Sequence, residues 1–136
     1  MKKQTVTILI LCYLVSLTVL AQKQQKKQKD SIIFTQLTYD YGTIGIGNSG
    51  RCEFKFTNKM KTPLVVSNVK PSCGCTVANW PKEPVLPGKT DVIKINFNAK
   101  LPGTFNKTIT VTSNAANSTV ILHIKGNVIL NNNFRH

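Results

Sequence analysis

The stretch RCEFKFTN, residues 51–58, places Cys52, Phe54 and Phe56 on one phase and Arg51, Glu53, Lys55 and Thr57 on the other. Side chains of an extended chain alternate between faces, so this spacing specifies a strand with one buried side and leaves no apolar stripe for a helix. The same period recurs. DVIKINFNA sets Ile93, Ile95 and Phe97 against Val92, Lys94 and Asn96. TFNKTITVTSN sets Phe105, Ile109 and Val111 against threonines and Asn106, with Lys107 an exception on the apolar phase. STVILHIKGNV turns Val120, Leu122 and Ile124 inward and Thr119, Ile121, His123 and Lys125 outward. PLVVSNV adds a shorter run, and SIIFTQLTYDYGTI supplies an opening strand or two with a bend at Tyr41–Gly42.

Turn-forming residues separate these runs: Gly45, Gly47 and Asn48; Asn58; Pro87–Gly88; Pro102–Gly103; Asn114 to Asn117. Short strands at this spacing indicate an all-β sandwich or barrel. The domain's size and a count of about seven to eight strands favour an immunoglobulin-like β-sandwich over residues 31–130. No repeat and no second domain is visible. An antibody-type core bridge is not expected, because Cys52 has no cysteine facing it in 104–113 or 118–128. It reads as a small buried hydrophobe.

The chain opens MKKQTVTILILCYLVSLTVLAQ: Lys2 and Lys3, an uncharged apolar run, then Val19 and Ala21 where signal peptidase requires small or modest side chains. Residues 1–21 therefore read as a cleaved signal peptide, the alternative being a retained anchor that only marginally spans ~30 Å of hydrocarbon. Leu11 stands before Cys12 where a lipoprotein signal needs a small residue, so lipidation there is not expected. Losing Lys2 and Lys3 lowers the net charge from +13 to +11. Residues 22–30 form a basic flexible linker in which Lys23, Lys26, Lys27 and Lys29 could make weak contact with an anionic membrane surface or acidic glycan, or serve only as a tether. Residues 131–136 read as a C-terminal tail. The expected location is outside the cytoplasm of a bacterium, in the periplasm, at the cell surface or secreted. The domain's lysines are scattered and do not alternate with exposed aromatics, so nucleic acid is not an expected partner.

Chemistry-bearing residues are few. Asp40, Glu53, Glu83 and Asp91 stand singly, without a pair for acid–base work. His123 falls on the outer phase of its strand and His136 ends the chain. No serine lies in a nucleophile elbow and no glycine run opens a helix, so no catalytic residue and no cofactor is expected. Trp80 reads as a plug over one end of the sandwich or as an exposed residue for stacking a sugar. Asp30–Ser31–Ile32 matches a short pattern resembling a bacterial O-glycosylation acceptor, and a flexible linker would present it.

The order of YDYGTI, FKFTN, PLVVSNVKPSCGCTV, PVLPGKTDVIKINFNAK, GTFNKTITVTSN and VILHIKGNV resembles the exported bacterial family catalogued as domain of unknown function 1573, over roughly residues 32–128. The resemblance implies an immunoglobulin-like fold, related in shape to Hydin-type ciliary domains and major sperm protein, and implies no reaction. Its Cys-Gly-Cys residues carry over to Cys73, Gly74 and Cys75, while Cys52 departs from the ordinary apolar residue expected there.

Three readings of the cysteine pair stay open. A Cys73–Cys75 disulfide must close a gap of about 6.5 to 7 Å between i and i+2 positions of a regular strand, with Gly74 bending the chain, and such a tight ring would be readily reduced. A soft metal site would use Cys73 and Cys75 with Cys52, His123 or Met60 for copper or zinc. The third reading packs the thiols where Pro71 and Gly74 shape a corner after the Pro63–Val69 strand. The function expected is a non-enzymatic module that binds another envelope protein or a glycan through a sheet edge or loops. The alternative is thiol/disulfide or soft-metal handling at Cys73–Gly74–Cys75. An enzyme acting on cell-wall or glycan substrates has no supporting constellation.

Overall fold

The computed structural model describes Lys3, Gln4 and residues 30–130. The rest of the expected signal peptide, residues 22–29 of the basic linker and the 131–136 tail lie outside the described residues, as do Lys23, Lys26, Lys27 and Lys29. Among the described residues no helix is long and apolar enough to cross a membrane.

Residues 30–130 contain no helix and form eight strands. They are β1 (Ile32–Phe34), β2 (Thr38–Gly45), β3 (Ser49–Asn58), β4 (Val66–Pro71), β5 (Thr76–Asn79), β6 (Thr90–Asn98), β7 (Gly103–Ser113) and β8 (Thr119–Ile129). One sheet runs β1-β3-β6-β5 and the other β2-β8-β7-β4. All neighbours are antiparallel except β2, which lies parallel to β8. The immunoglobulin-like sandwich expected from the alternation is the fold observed.

The alternation explains the register. β3 and β6 pair Cys52 with Ile95 and Phe54 with Ile93, so the apolar phases of both strands share the inner face. Phe54, Phe56, Ile93, Ile109, Leu122 and Ile124 are fully buried between the sheets. Each such side chain contributes about 1.5–3 kcal/mol by leaving water, which pins the register because a one-residue slip would turn a whole row outward. The bend expected at Tyr41–Gly42 is a register shift between Asp40 and Thr43, where the Asp40 carboxylate accepts the Gly42 N–H at 2.8 Å. Tyr41 lies flat against Gly50, where a Cβ would stand 2.7 Å from the ring, so glycine is required by space.

Two local expectations need correction, and a third gains a second role. The Pro63–Val69 run does not form one strand: Leu64 makes an isolated bridge with Val85, and β4 begins at Val66 with a register shift before Asn68. Ser31, read as a linker residue open to glycosylation, is 4% exposed at the mouth of β1, its carbonyl taken by the Lys59 N–H at 2.9 Å. Asn58, read as a turn marker, does end β3, and it also has no exposed surface. Its side chain donates to Thr62 and Val85 carbonyls at 2.9 and 2.8 Å and accepts the Met60 N–H at 2.7 Å, holding the following loop over the core.

Candidate functional site

The Cys-Gly-Cys segment is the crossing from one sheet to the other. β4 ends at Pro71, and the Ser72 N–H then donates to the Thr108 carbonyl at 2.9 Å while the Ser72 hydroxyl accepts the Thr108 N–H at 3.1 Å. Three residues later the Cys75 carbonyl accepts the Asn98 N–H at 2.8 Å and the chain enters β5 on the opposite sheet. Cys73 and Cys75 are joined as a disulfide, with Cα atoms 5.3 Å apart. That is shorter than the strand spacing and within ordinary bridging range, so the bend is real. It does not rest on special freedom of Gly74, which lies outside the positive-φ glycines and whose Cβ would meet nothing. The turn's own hydrogen bond, Thr76 N–H to the Cys73 carbonyl at 3.3 Å, closes it.

β5 is the element missed in the sequence. Its four residues, TVAN, are too short and too little apolar to show a period, and only the partner β6 makes them a strand. Thr76 at its start is buried, its hydroxyl 3.6 Å from the Cys73 sulfur and 3.9 Å from that of Cys75. At its far end Trp80 packs half-buried against the core, and its indole N–H donates to the Val66 carbonyl at 3.2 Å. The Lys82 ammonium stands 3.1 Å from the ring centroid, a cation–π contact that occupies one ring face. Both ends of the β4–β5 side are thus tied across the sheets.

The remaining sequence candidates are apart from this corner or engaged otherwise. Cys52 is a free, buried thiol on β3. Burial pushes its pKa up, and burial likewise pushes up that of Tyr41, whose hydroxyl donates to the Gly50 carbonyl at 3.1 Å beside it. A thiol held protonated and covered is inert, unlike the accessible thiolates that react or bind metal. His123 lies on β8 and pairs in register with Thr38 and Thr108; Met60 packs against the core. Among the described residues no group of three or more His, Cys, Asp and Glu side chains is placed to hold a metal.

Beside the corner a cleft of about 300 Å³ opens between the sheets. Cys75 lines one wall, and Phe97, Phe105 and Val128 line it as apolar residues. Phe97 and Phe105 stack at 4.2 Å between centroids and continue into Tyr41. Lys100 and Lys107 also line it, and no acidic residue does among the described residues. This accounts for Lys107 on the apolar phase of β7: its neighbours on that phase are Phe105 and Ile109, but the sheets part here and the side chain is half-buried in the opening.

Two four-stranded sheets face to face, with β2 parallel to the last strand, β8, define the chain as an immunoglobulin-like, PapD-like domain. It is similar to the ASH / PapD-like domain 7 of human CEP192, 11% identical with a TM-score of 0.60 over 77% of this chain and 89% of that one. It is similar also to a Porphyromonas gingivalis W83 protein of unknown function, 14% identical with a TM-score of 0.61 over 74% of this chain and 48% of the other. A third likeness is to the secreted serine protease VesC of Vibrio cholerae, 13% identical with a TM-score of 0.58 over 76% of this chain and 24% of that one. The chain spans about half the length of the Porphyromonas protein and about a quarter of VesC. At these identities the likeness shows the fold alone. Residues 32–128 match the family described as Protein of unknown function (DUF1573), and the chain belongs to it. No curated protein matches the sequence.

Proposed function

We propose that the chain is an exported, non-enzymatic binding module of the bacterial cell envelope that captures an extended segment of another envelope protein by strand addition to β5. The observation that carries this is the state of the four sheet edges. β1 is covered: the Asn117 side chain accepts the Ile32 N–H at 3.0 Å and donates to the Ile32 carbonyl at 2.8 Å. β2 is interrupted between Asp40 and Thr43, and β4 carries a register shift, Lys70 and Pro71. Bulges, prolines and lysines are the devices by which proteins refuse a further strand. β5 has a regular register and neither charge nor proline.

Alternate residues of an antiparallel ladder point their N–H and C=O groups away from the partner. Because Cys75 bonds to Asn98 on β6, Thr76 and Ala78 are the residues turned outward, and the Thr76 N–H is already taken by Cys73. The Ala78 N–H and C=O are left for an incoming backbone, and Val77, 65% exposed on the outer face, gives its side chain an apolar neighbour. Export rests on the leader-like residues 1–21, and residues 22–30 make weak contact with an anionic surface through Lys23, Lys26, Lys27 and Lys29. Trp80 supports a glycan platform less, since its ring and N–H are both engaged.

The test compares immobilised wild-type protein with Ala78→Pro, which deletes the outward N–H and leaves the β6 ladder intact. Circular dichroism checks that the variant is folded. Envelope protein retained by the wild type and lost from Ala78→Pro supports strand addition; equal retention by both sinks it.

A further inference from the structure

The β5 edge leaves unexplained why a disulfide, a buried hydroxyl and two lysines meet at the adjacent cleft. We propose that the Cys73–Cys75 disulfide is a thiol-exchange centre whose cleft admits small acidic thiols. Cys75 lines the cleft, and an apolar floor of Phe97, Phe105 and Val128 faces it. Lys100 and Lys107 line the same opening without an acidic neighbour among its described lining residues, so a ligand carboxylate finds a cation there. The ammonium groups also favour thiolate over thiol in their vicinity.

The reaction has a defined direction. A substrate thiolate attacks the Cys75 sulfur, forming a substrate–Cys75 disulfide and breaking the Cys73–Cys75 bond. The bonding pair leaves on Cys73, whose sulfur is the nearer of the two to the buried Thr76 hydroxyl, at 3.6 Å against 3.9 Å. That hydroxyl donates to the departing thiolate, which then takes a proton from solvent. A second substrate thiolate attacks the substrate sulfur of the mixed disulfide and releases Cys75 as thiolate, which is protonated in turn. Two substrate thiols become one disulfide, and the protein takes up the two electrons and two protons as a pair of thiols. The fold does not depend on the bond that opens. Ser72 remains bonded to Thr108, Cys75 to Asn98 and Trp80 to Val66, so β4 and β5 stay in place when it is reduced.

The experiment mixes oxidised protein with reduced glutathione, an anionic thiol, or cysteamine, a cationic one, and quenches with alkylating agent for mass analysis. Rates are compared per thiolate. Glutathione is expected to react about tenfold faster, as charge attraction in a focused cleft allows. The preference should shrink in high salt and disappear in Lys107→Glu, which leaves Lys100 opposed by one carboxylate. The first adduct maps to Cys75. Thr76→Val slows both thiols, and Thr76→Ser restores the rate, which a hydroxyl of purely structural value would not do. Equal rates for the two thiols, a first adduct on Cys73, or resistance to both thiols overturns the proposal. Ala78→Pro is expected to leave all of these rates unchanged, so the result stands or falls apart from strand addition at β5.

Discussion

The two flanks of the sandwich solve the same problem by different means. On the β1–β2 flank the sheets are joined by long-range hydrogen bonds: Asn117 reaches Ile32 across 85 residues, the Ala116 N–H donates to Asp30 at 2.9 Å, and the His123 N–H to Leu37 at 2.8 Å. On the β4–β5 flank the Trp80–Val66 hydrogen bond is joined by a tie that is covalent and local, two cysteines a sequence separation of 2 apart. A cross-link stabilises mainly by restricting the unfolded chain, and a ring of so few residues restricts it little, by about 1.5 kcal/mol. The long-range bonds close a flank that the fold needs closed. The disulfide contributes little more than one hydrogen bond does, which makes stability a poor reason for its presence and chemistry or edge presentation a better one.

The largest expected effect ignores this distinction. Phe54 is fully buried in the core cluster shared by both sheets, and Phe54→Ala should cost about 3–5 kcal/mol in urea unfolding, with the cavity adding to the lost transfer energy. A loss near that of the disulfide variant would mean that the core is not the common support of both sides.

Next come the ties themselves. Asn117→Ala strips two backbone groups of part-buried partners and should cost about 1–3 kcal/mol. It should also speed amide exchange at Ile32. The double change Cys73→Ser with Cys75→Ser should cost about 1.5 kcal/mol and leave Ile32 protected. A double variant as damaging as Phe54→Ala would make the corner part of the folding core and erase the contrast.

The smallest effect is in alkali and belongs to one flank. Cys52 and Tyr41 sit on β3 and β2, and burial raises both pKa values above their ordinary 9.0 and 10.0. Both groups are therefore more protonated folded than unfolded, so their contribution is complete below pH 9 and declines as pH rises past 9 and then 10. Cys52→Val should remove the earlier part of the decline, read from unfolding curves between pH 8 and 11. Removing the disulfide should leave the slope unchanged, since bridged cysteines do not titrate in this range.

Much of the fold was legible because strand alternation is a local property. Cys52, Phe54 and Phe56 were readable as core from RCEFKFTN alone, as were Ile93, Ile95, Leu122 and Ile124, and the family follows from the order of such segments. The candidate site was legible only as a pair of cysteines. β5 went unseen because four residues with one exposed valine carry no period, and Asn58 was legible as a turn but not as a buried clamp, because the Val85 carbonyl that claims its amide is distant in the chain.

What the sequence by itself determined is therefore whatever one strand decides for itself: which phase is apolar, where the turns fall, that the chain is all-β, and that Cys73 and Cys75 are near each other. What only the tertiary structure decided is what happens between strands. It set which edge is capped and which is open, whether the two sulfurs are joined, that Thr76 stands beside them, and that Lys107 lines a cleft. The physical reason is that hydrogen-bond closure and side-chain burial at these places depend on residues distant in the chain, 85 positions apart for Asn117 and Ile32, which no local pattern records.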